Sequence, residues 1–480
     1  MNKALLIVVC VFILTGYKNN NEKPDQSINK SQPNFIVIFT DDLGYQDLGC
    51  FGSPNIRTPH IDAMAEEGMR FTNFYAQTVC GPSRSSLMTG CYPLRVARKN
   101  DKKEHHPNMA NEEITIAELL KDAGYTTGCF GKWDLAGHDQ EKYDTLSLPT
   151  RQGFDYFYGT PSSNDTYVNL LRNEEVIERK ADLNTLTKKY TEEVIGFIRK
   201  NQDKPFFVYL PHTMPHTRLG ASKAFKGKSE RGLYGDVIEE IDWSTGQILA
   251  CIKELRLEKN TYVLFTSDNG PWWLGSHPWL SRNKDKGGWH GGTATPLRGN
   301  KCTTWEGGLR VPGVLWGPER VKANSTSDQI TATIDILPTL AKLAGAKVPD
   351  DRIIDGKDIS ALFLSPEANF YPERPYYYYS HDRLQAVRKG PWKLHLPYTG
   401  TYPKFWELFI KPEDRVNFNS PALYNLSKDV GEQNDVASQY PEVVNELLEL
   451  VEVARNDIGD YNKIGKGARS FKKLPVTSSN

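Results

Sequence analysis

The chain has 480 residues, with 59 Lys plus Arg against 59 Asp plus Glu, so its formal net charge is zero. That balance argues against nucleic acid as the main partner, because phosphate binding needs a positive excess or a basic patch. The length exceeds what one small core organises and predicts one large domain with a smaller one.

At the N-terminus, Lys3 precedes an apolar run from Ala4 to Thr15. The run is short for a bilayer span and has the length of a signal-peptide core. It ends in "ILTGY", which is similar to a bacterial lipobox except that Tyr17 stands where the acylated cysteine would be. Residues 1–17 are therefore read as a signal peptide and the polar residues 18–33 as a linker. The chain is expected to be exported, to the periplasm or beyond, without a lipid anchor. No later segment is long and apolar enough to cross a membrane.

"NFIVIFTDD", residues 34–42, is a continuous apolar run ending in two carboxylates, the pattern of a buried parallel strand whose C-terminal end reaches a site. "TPHIDAMAEEGMRF" follows as a helix, with Thr58 as N-cap, Pro59 at the first position and Ile61, Met64, Ala65 and Met69 as its apolar stripe. "TIAELLKDAG" reads as a helix and "YTTGCFGK" as a strand ending at Lys132. "NTLTKKYTEEVIGFIRKN" is a long amphipathic helix, followed by the strand "PFFVYLPHT". A helix through "VIEEIDWSTGQILACIKEL" leads into "TYVLFTSDNG", which repeats the design of the first strand. This alternation predicts an α/β domain over 34–365, a large, mostly parallel sheet sandwiched by helices. Ligands gather at the C-terminal strand ends of such sheets, and Asp41, Asp42, Lys132, His216 and Asp268 fall at or just beyond them.

After about residue 365 the pattern changes. "YYYYS", "LQAVRKGPWKLHL" and "ALYNLSKD" read as short antiparallel strands, and "PEVVNELLELVEVARND" as a closing helix. This gives a smaller α+β subdomain over 366–462, with 463–480 as a loose tail.

The chain has seven cysteines. Cys10 leaves with the signal peptide. The other six lack C-x-x-C spacing, which excludes a zinc site and a dense disulfide framework but leaves room for one or two disulfides. Cys80 stands apart, in "VCGPSRSSLMTG", where small residues and an arginine crowd a thiol at the start of a helix. A disulfide, a catalytic thiolate and a modified residue are the three readings.

"CGPSRSSLMTG" matches in full the signature C-x-P-S-R-x-x-x-x-T-G of the formylglycine-dependent sulfatases. The chain resembles that family, type I, within the alkaline-phosphatase superfamily. Further stretches agree in order: "TPHIDAMAEEGMRFTNFYAQ", "FGKW", "PHTMPH", "TSDNG" and "LRGNKCTTWEGGLRVPG". The resemblance runs to "LYNLSKDVGEQNDVA" and so covers essentially the whole mature chain. It implies that a formylglycine-generating maturation enzyme oxidises Cys80 to 3-oxoalanine before or during export. The hydrated aldehyde is then the nucleophile, with a second hydroxyl that expels sulfate by re-forming the aldehyde, an exit that serine or cysteine lacks. The helix N-terminus at residue 80 favours an anion.

Asp41, Asp42, Asp268 and Asn269 are hard oxygen ligands. With residue 80 and one sulfate oxygen they suit a single Ca²⁺ ion. By resemblance Arg84 anchors the hydrate, Lys132 and Lys301 bind sulfate, and His216 protonates the leaving oxygen, with His212 as a competitor for that role. One departure stands out. The family reads "GKWHLG" where this chain reads "GKWDLAGH", which places Asp134 next to the hydrate. A carboxylate can accept the hydrate's proton but cannot be cationic. Asp134 is therefore protonated, paired with a nearby base, or removed from direct contact, and His138, just downstream, can swing in.

The stretch 270–299 holds Trp272, Trp273, Trp279 and Trp289 together with His277, His290, Arg282, Lys284 and Lys286. Aromatic faces stack on sugar rings and cations pair with sulfates, so this loop suits a sulfated oligo- or polysaccharide, with His381 and Arg383 reaching in from the second subdomain. The competing reading of the tryptophans is that they pack the loop. Two other functions stand beside the sulfatase: a phosphodiesterase or phosphonate hydrolase of the same superfamily, and a non-catalytic binder of sulfated glycans.

Overall fold

A computed structural model describes residues 32–96, 109–273, 291–398 and 409–469. The signal-peptide and most of the linker assignment therefore lie outside the described residues. The first strand, β1 (Asn34–Thr40), is buried along its whole length. Its side chains alternate between two cores: Phe35, Val37 and Phe39 face one, Ile36 and Ile38 the other. Each such burial contributes about 1.5–3 kcal/mol, which is why the run shows no polar alternation.

Ten further strands join the sheet: β2 (Met69–Tyr75), β3 (Thr126–Lys132), β4 (Tyr156–Thr160), β5 (Leu170–Arg172), β6 (Glu175–Glu178), β7 (Phe206–Pro211), β8 (Thr261–Ser267), β9 (Arg310–Trp316), β10 (Ser325–Ser327) and β11 (Thr331–Ala332). The order across it is β10-β2-β9-β8-β1-β7-β3-β4-β5-β6, with β11 also paired to β2. The centre, β8-β1-β7-β3-β4, is parallel throughout. Antiparallel pairs lie on both sides, through β9 and through the β4-β5-β6 meander.

Helices cover both faces. On the first lie α2 (Cys80–Thr89), α3 (Ile116–Asp122) and α6 (Ile336–Ala344). On the second lie α1 (Pro59–Glu66), α4 (Leu186–Lys200) and α5 (Gly232–Glu254). Two sequence expectations need correction at α1. Thr58 holds the N-cap position ahead of Pro59, but its side chain does not cap the helix: the Thr58 hydroxyl accepts from the Gly49 N–H and donates to Asp62. Asp242 of α5 caps it instead, accepting the His60 and Ile61 N–H groups. Met69, assigned to the helical stripe, opens β2, because the helix ends before Gly68 and a strand follows.

The C-terminal part forms a four-stranded antiparallel sheet of β12 (Pro375–Ser380), β13 (Arg383–Lys389), β14 (Trp392–His395) and β15 (Ala422–Asn425). Helix α7 (Pro441–Asp457) packs on it through Leu447, Val451 and Ala454. A buried polar cluster joins this sheet to the large domain. Glu306 accepts from Tyr75 at 2.6 Å, Tyr378 at 2.8 Å and Lys393 at 3.0 Å. Lys393 also pairs with Glu432 at 2.9 Å. Residues 463–469, expected to open a loose tail, fold back instead. Lys463–Ile464 (β17) pairs with Gly459–Asp460 (β16), and Arg469 supplies the cation for buried Glu113 at 2.6 Å.

Among the described residues all six cysteines, Cys50, Cys80, Cys91, Cys129, Cys251 and Cys302, are free, so the one or two disulfides left open by the sequence do not form there. Among the described residues no helix is long and apolar enough to cross a membrane.

Candidate active site

Four adjacent parallel strands deliver the polar residues. Asp41 and Asp42 follow β1, Asp268 and Asn269 follow β8, Lys132 ends β3, and the segment after β7 carries His212 and His216. Cys80 is the first residue of α2, after an extended Val79, and no side chain caps the helix there. Gly90 closes it in the left-handed conformation, at φ 68°. Asp42, Asp134 and Cys302 also adopt positive φ, at 68°, 58° and 73°. Left-handed backbone at non-glycine residues costs on the order of 1–3 kcal/mol, and its clustering here marks a functional site.

The Cys80 thiol lies 3.2 Å from Asp41 Oδ1 and 3.1 Å from Lys301 Nζ. Lys301 Nζ also donates to Asp42 Oδ1 at 2.6 Å. Lys132 Nζ stands 2.6 Å from Asp41 Oδ2. Arg84 spans Asp41 Oδ2 at 3.3 Å, Asp268 Oδ2 at 3.0 Å and the Lys132 carbonyl at 2.8 Å. All of these side chains are buried. Burial and then the Asp41 charge push the Cys80 thiol well above its ordinary value, although Lys132 and Lys301 oppose them. An unmodified thiol here is therefore a poor nucleophile. Burial would also raise Asp41, but Lys132, His216, Arg84 and Lys301 outweigh it and hold Asp41 well below the usual carboxylate range.

The donor set fits a metal ion. Ligand atoms of Asp41, Asp42, Cys80 and His216 lie within 4.8 Å of one another. Asp42 Oδ2 and Asn269 Oδ1 are buried without a hydrogen bond among the described residues, so each offers a lone pair. Asp268 is turned away: its oxygens take the Asp42 N–H at 3.0 Å and Arg84.

His216 Nε2 lies 3.7 Å from Asp42 Oδ2, and burial, with Lys301, lowers its pKa. His212 is placed elsewhere, in the core beside the Tyr190 ring, where burial lowers it to about 3. Asp134 pairs with His138 Nδ1 at 2.9 Å and lies 3.5 Å from Lys132.

Trp272 is a wall of this site. Its ring lies 4.7 Å from the His216 ring, 4.4 Å from Lys301 Nζ and 5.0 Å from Phe409. Trp273 follows, half-buried. Arg383 stacks on Tyr461 and Tyr398 within the C-terminal subdomain, and His381 shares a hydrogen bond with Ser380. His277, Trp289 and His290, with Trp279, Arg282, Lys284 and Lys286, lie outside the described residues.

Sequence reasoning passed over Asp165. Its carboxylate lies 3.8 Å from His216 Nε2 and 3.9 Å from His138 Nε2. It follows β4, a strand that was not read from the sequence. The strand-end rule applied to "DYFYGT" would have pointed to it.

Residues 33–346 match the sulfatase family, and residues 371–475 match the C-terminal region of aryl-sulfatase. The chain is 32% identical to human steryl-sulfatase over 88% of this chain and 87% of that one. It is 33% identical to N-acetylgalactosamine-6-sulfatase of Canis lupus familiaris, over 88% and 85%. A solved structure from work on the metabolism of multiple glycosaminoglycans by Bacteroides thetaiotaomicron superposes with a TM-score of 0.76 at 28% identity, over 88% of this chain and 99% of that one. Matched along both of its parts, the chain belongs to the sulfatases of the alkaline-phosphatase superfamily, and its reaction is the hydrolysis of a sulfuric ester.

Proposed function

We propose that the enzyme removes sulfate from a sulfated carbohydrate, outside the cytoplasm, using formylglycine made from Cys80 and one Ca²⁺ ion. The observation that carries this reading is Cys80 itself. Its thiol sits at the centre of the cation-rich cluster, yet its burial and the Asp41 charge keep it protonated. Oxidised to the aldehyde hydrate by a maturation enzyme, residue 80 would supply a hydroxyl nucleophile that needs no thiolate. Ca²⁺ held by Asp41, Asp42 and Asn269, with Asp268 beside them, would neutralise charge on the sulfate oxygens.

The chain's own groups support the remaining roles. Lys132, Lys301 and Arg84 offer fixed cations to an anion in a buried site, where each acts more strongly than in water. His216, held by the Trp272 ring, is the proton donor for the leaving alcohol. Asp134, next to Lys132, is the proton acceptor. For the substrate, two relatives point apart, one named for a steryl sulfate and one for an amino sugar. The aromatic and basic stretch after Trp272 favours the sugar, with Trp273, His277, Trp289, His290, His381 and Arg383 as its contacts.

The mass of the tryptic peptide Phe71–Arg84, from protein made in a host with the maturation enzyme, tests the nucleophile. An aldehyde at residue 80, with turnover of sulfated oligosaccharides in preference to steryl sulfate, is the expected result. An intact thiol, when a control sulfatase from the same host is modified, overturns it.

A further inference from the structure

Hydrolysis of a sulfate monoester near neutrality consumes one water and releases one proton. The S–O bond to the alcohol breaks and the water oxygen ends on sulfur. One proton of that water goes to the alcohol, and the other must leave the enzyme. The cluster around Cys80 gives it few exits, because Asp41, Asp42, Arg84, Lys132, Asp268 and Lys301 are all buried.

Asp134 and His138 cross that wall. The Asp134 side chain is 1% exposed and the His138 side chain 57% exposed. The two Asp134 oxygens face different ways. Oδ1 contacts His138 Nδ1 at 2.9 Å. Oδ2 lies on the pocket side, 3.5 Å from Lys132 Nζ, and carries no hydrogen bond among the described residues. It is thus a buried acceptor with a spare lone pair beside the Lys132 ammonium. The left-handed backbone at Asp134, φ 58°, sets this orientation. On the other side of the imidazole, Asp165 Oδ2 lies 3.9 Å from His138 Nε2. Among the described residues, the charged groups that act on the ring include Asp134, Asp165 and Lys132. The Asp134 charge in the main raises His138 above the ordinary imidazole value, while partial burial and Lys132 oppose it.

We propose that His138 carries the proton released in each turnover from Asp134 to solvent, and that Asp165 is the positioning residue that holds the ring for this. Asp134 takes the proton at Oδ2 and, as its carboxyl turns, passes it to a bare His138 Nδ1. The imidazolium then gives up its Nε2 proton to water or buffer. Nothing is oxidised or reduced; the carboxylate is restored, and the imidazole, left with its proton on Nδ1, returns to the Nε2–H form by proton exchange with solvent before the next turnover. The inference rests on the sulfatase reading of the site above.

The test uses the full-length modified enzyme and its His138→Ala and Asp165→Asn variants. In a buffer that transfers protons poorly, His138→Ala should lower kcat on the order of 10²-fold with little change in KM. Added imidazole should restore kcat saturably in the variant and leave the wild type unaffected. A loss that imidazole does not rescue, or no loss at all, overturns the relay. A ¹⁵N NMR titration of His138 needs no turnover. Its pKa should lie above that of free imidazole and fall in both Asp134→Asn and Asp165→Asn. A value that neither substitution moves also overturns the proposal. Absence of turnover in the wild type would count against the reading of residue 80 instead, and the NMR titration then decides on His138 alone.

Discussion

Lys393 is fully buried between two carboxylates, 3.0 Å from Glu306 and 2.9 Å from Glu432. Lys393→Met removes the charge and keeps most of the volume. Glu306 would retain the Tyr75 and Tyr378 hydroxyls and two guanidinium groups, Arg310 at 3.5 Å and Arg388 at 3.6 Å. Glu432 would keep the Glu306 N–H at 2.7 Å and His395 at 2.9 Å. Breaking a buried pair usually costs about 3–5 kcal/mol. The surviving donors place this case near the lower end, about 3 kcal/mol. Urea unfolding followed by tryptophan fluorescence measures it, since Trp305 lies 4.5 Å from the His395 ring within this cluster. Glu432→Gln in the same chain should recover part of the loss, because Glu432, left with an N–H and an imidazole, is the carboxylate that loses its cation. A loss below about 1 kcal/mol, or penalties that simply add in the double variant, would refute the claim that this network holds the two parts together.

His216→Asn should lower kcat about 10²–10⁴-fold on a sugar sulfate and far less on an aryl sulfate whose phenol leaves without a proton. Equal losses on both substrates would exclude a proton-donating role. Dialysis against a calcium chelator should abolish turnover, and Ca²⁺ should restore it better than Mg²⁺, which dehydrates reluctantly; calorimetric titration of the stripped protein reads the binding directly. Asp242 gives a pH prediction. Burial raises its pKa to about 7, while the His60 and Ile61 N–H groups oppose the shift. Its folded value lies above its unfolded value, so its contribution is full below about pH 4 and lost as pH rises through about 7. Asp242→Asn should therefore gain on the wild type across that window, by up to about 4 kcal/mol, in unfolding free energies measured at several pH values. A difference independent of pH would show that Asp242 is ionised throughout.

The parallel centre of the sheet was legible because its strands are buried on both faces and read as unbroken apolar runs, as in Phe35 to Phe39. The meander β4 to β6, which leaves the parallel centre at β4 and turns antiparallel, was not. Its strands are short, with half-exposed Tyr156 and Glu178 breaking the pattern, and Asp165 was missed with them. The charged cluster followed from the strand ends, and the Cys80 motif supplied the rest. Long-range partners left no local signal. The capping of α1 by Asp242, some 180 residues away, is one case. Trp272 is another: it was read as a sugar platform or loop packing, and it lies against His216 and Lys301 as the inner wall of the site.

The burial of helix α2 fixes an order of events. Cys80 and Pro82 through Thr89 are buried, and the Cys80 thiol is enclosed by Asp41 and Lys301. A maturation enzyme of the kind proposed, which would have to reach the Cys80 thiol, would find it enclosed once the sheet has closed. On the proposed chemistry, oxidation of residue 80 precedes folding. Protein that has folded with its thiol intact is then beyond later repair, and the yield of active enzyme depends on a race between the maturation enzyme and the collapse of the chain.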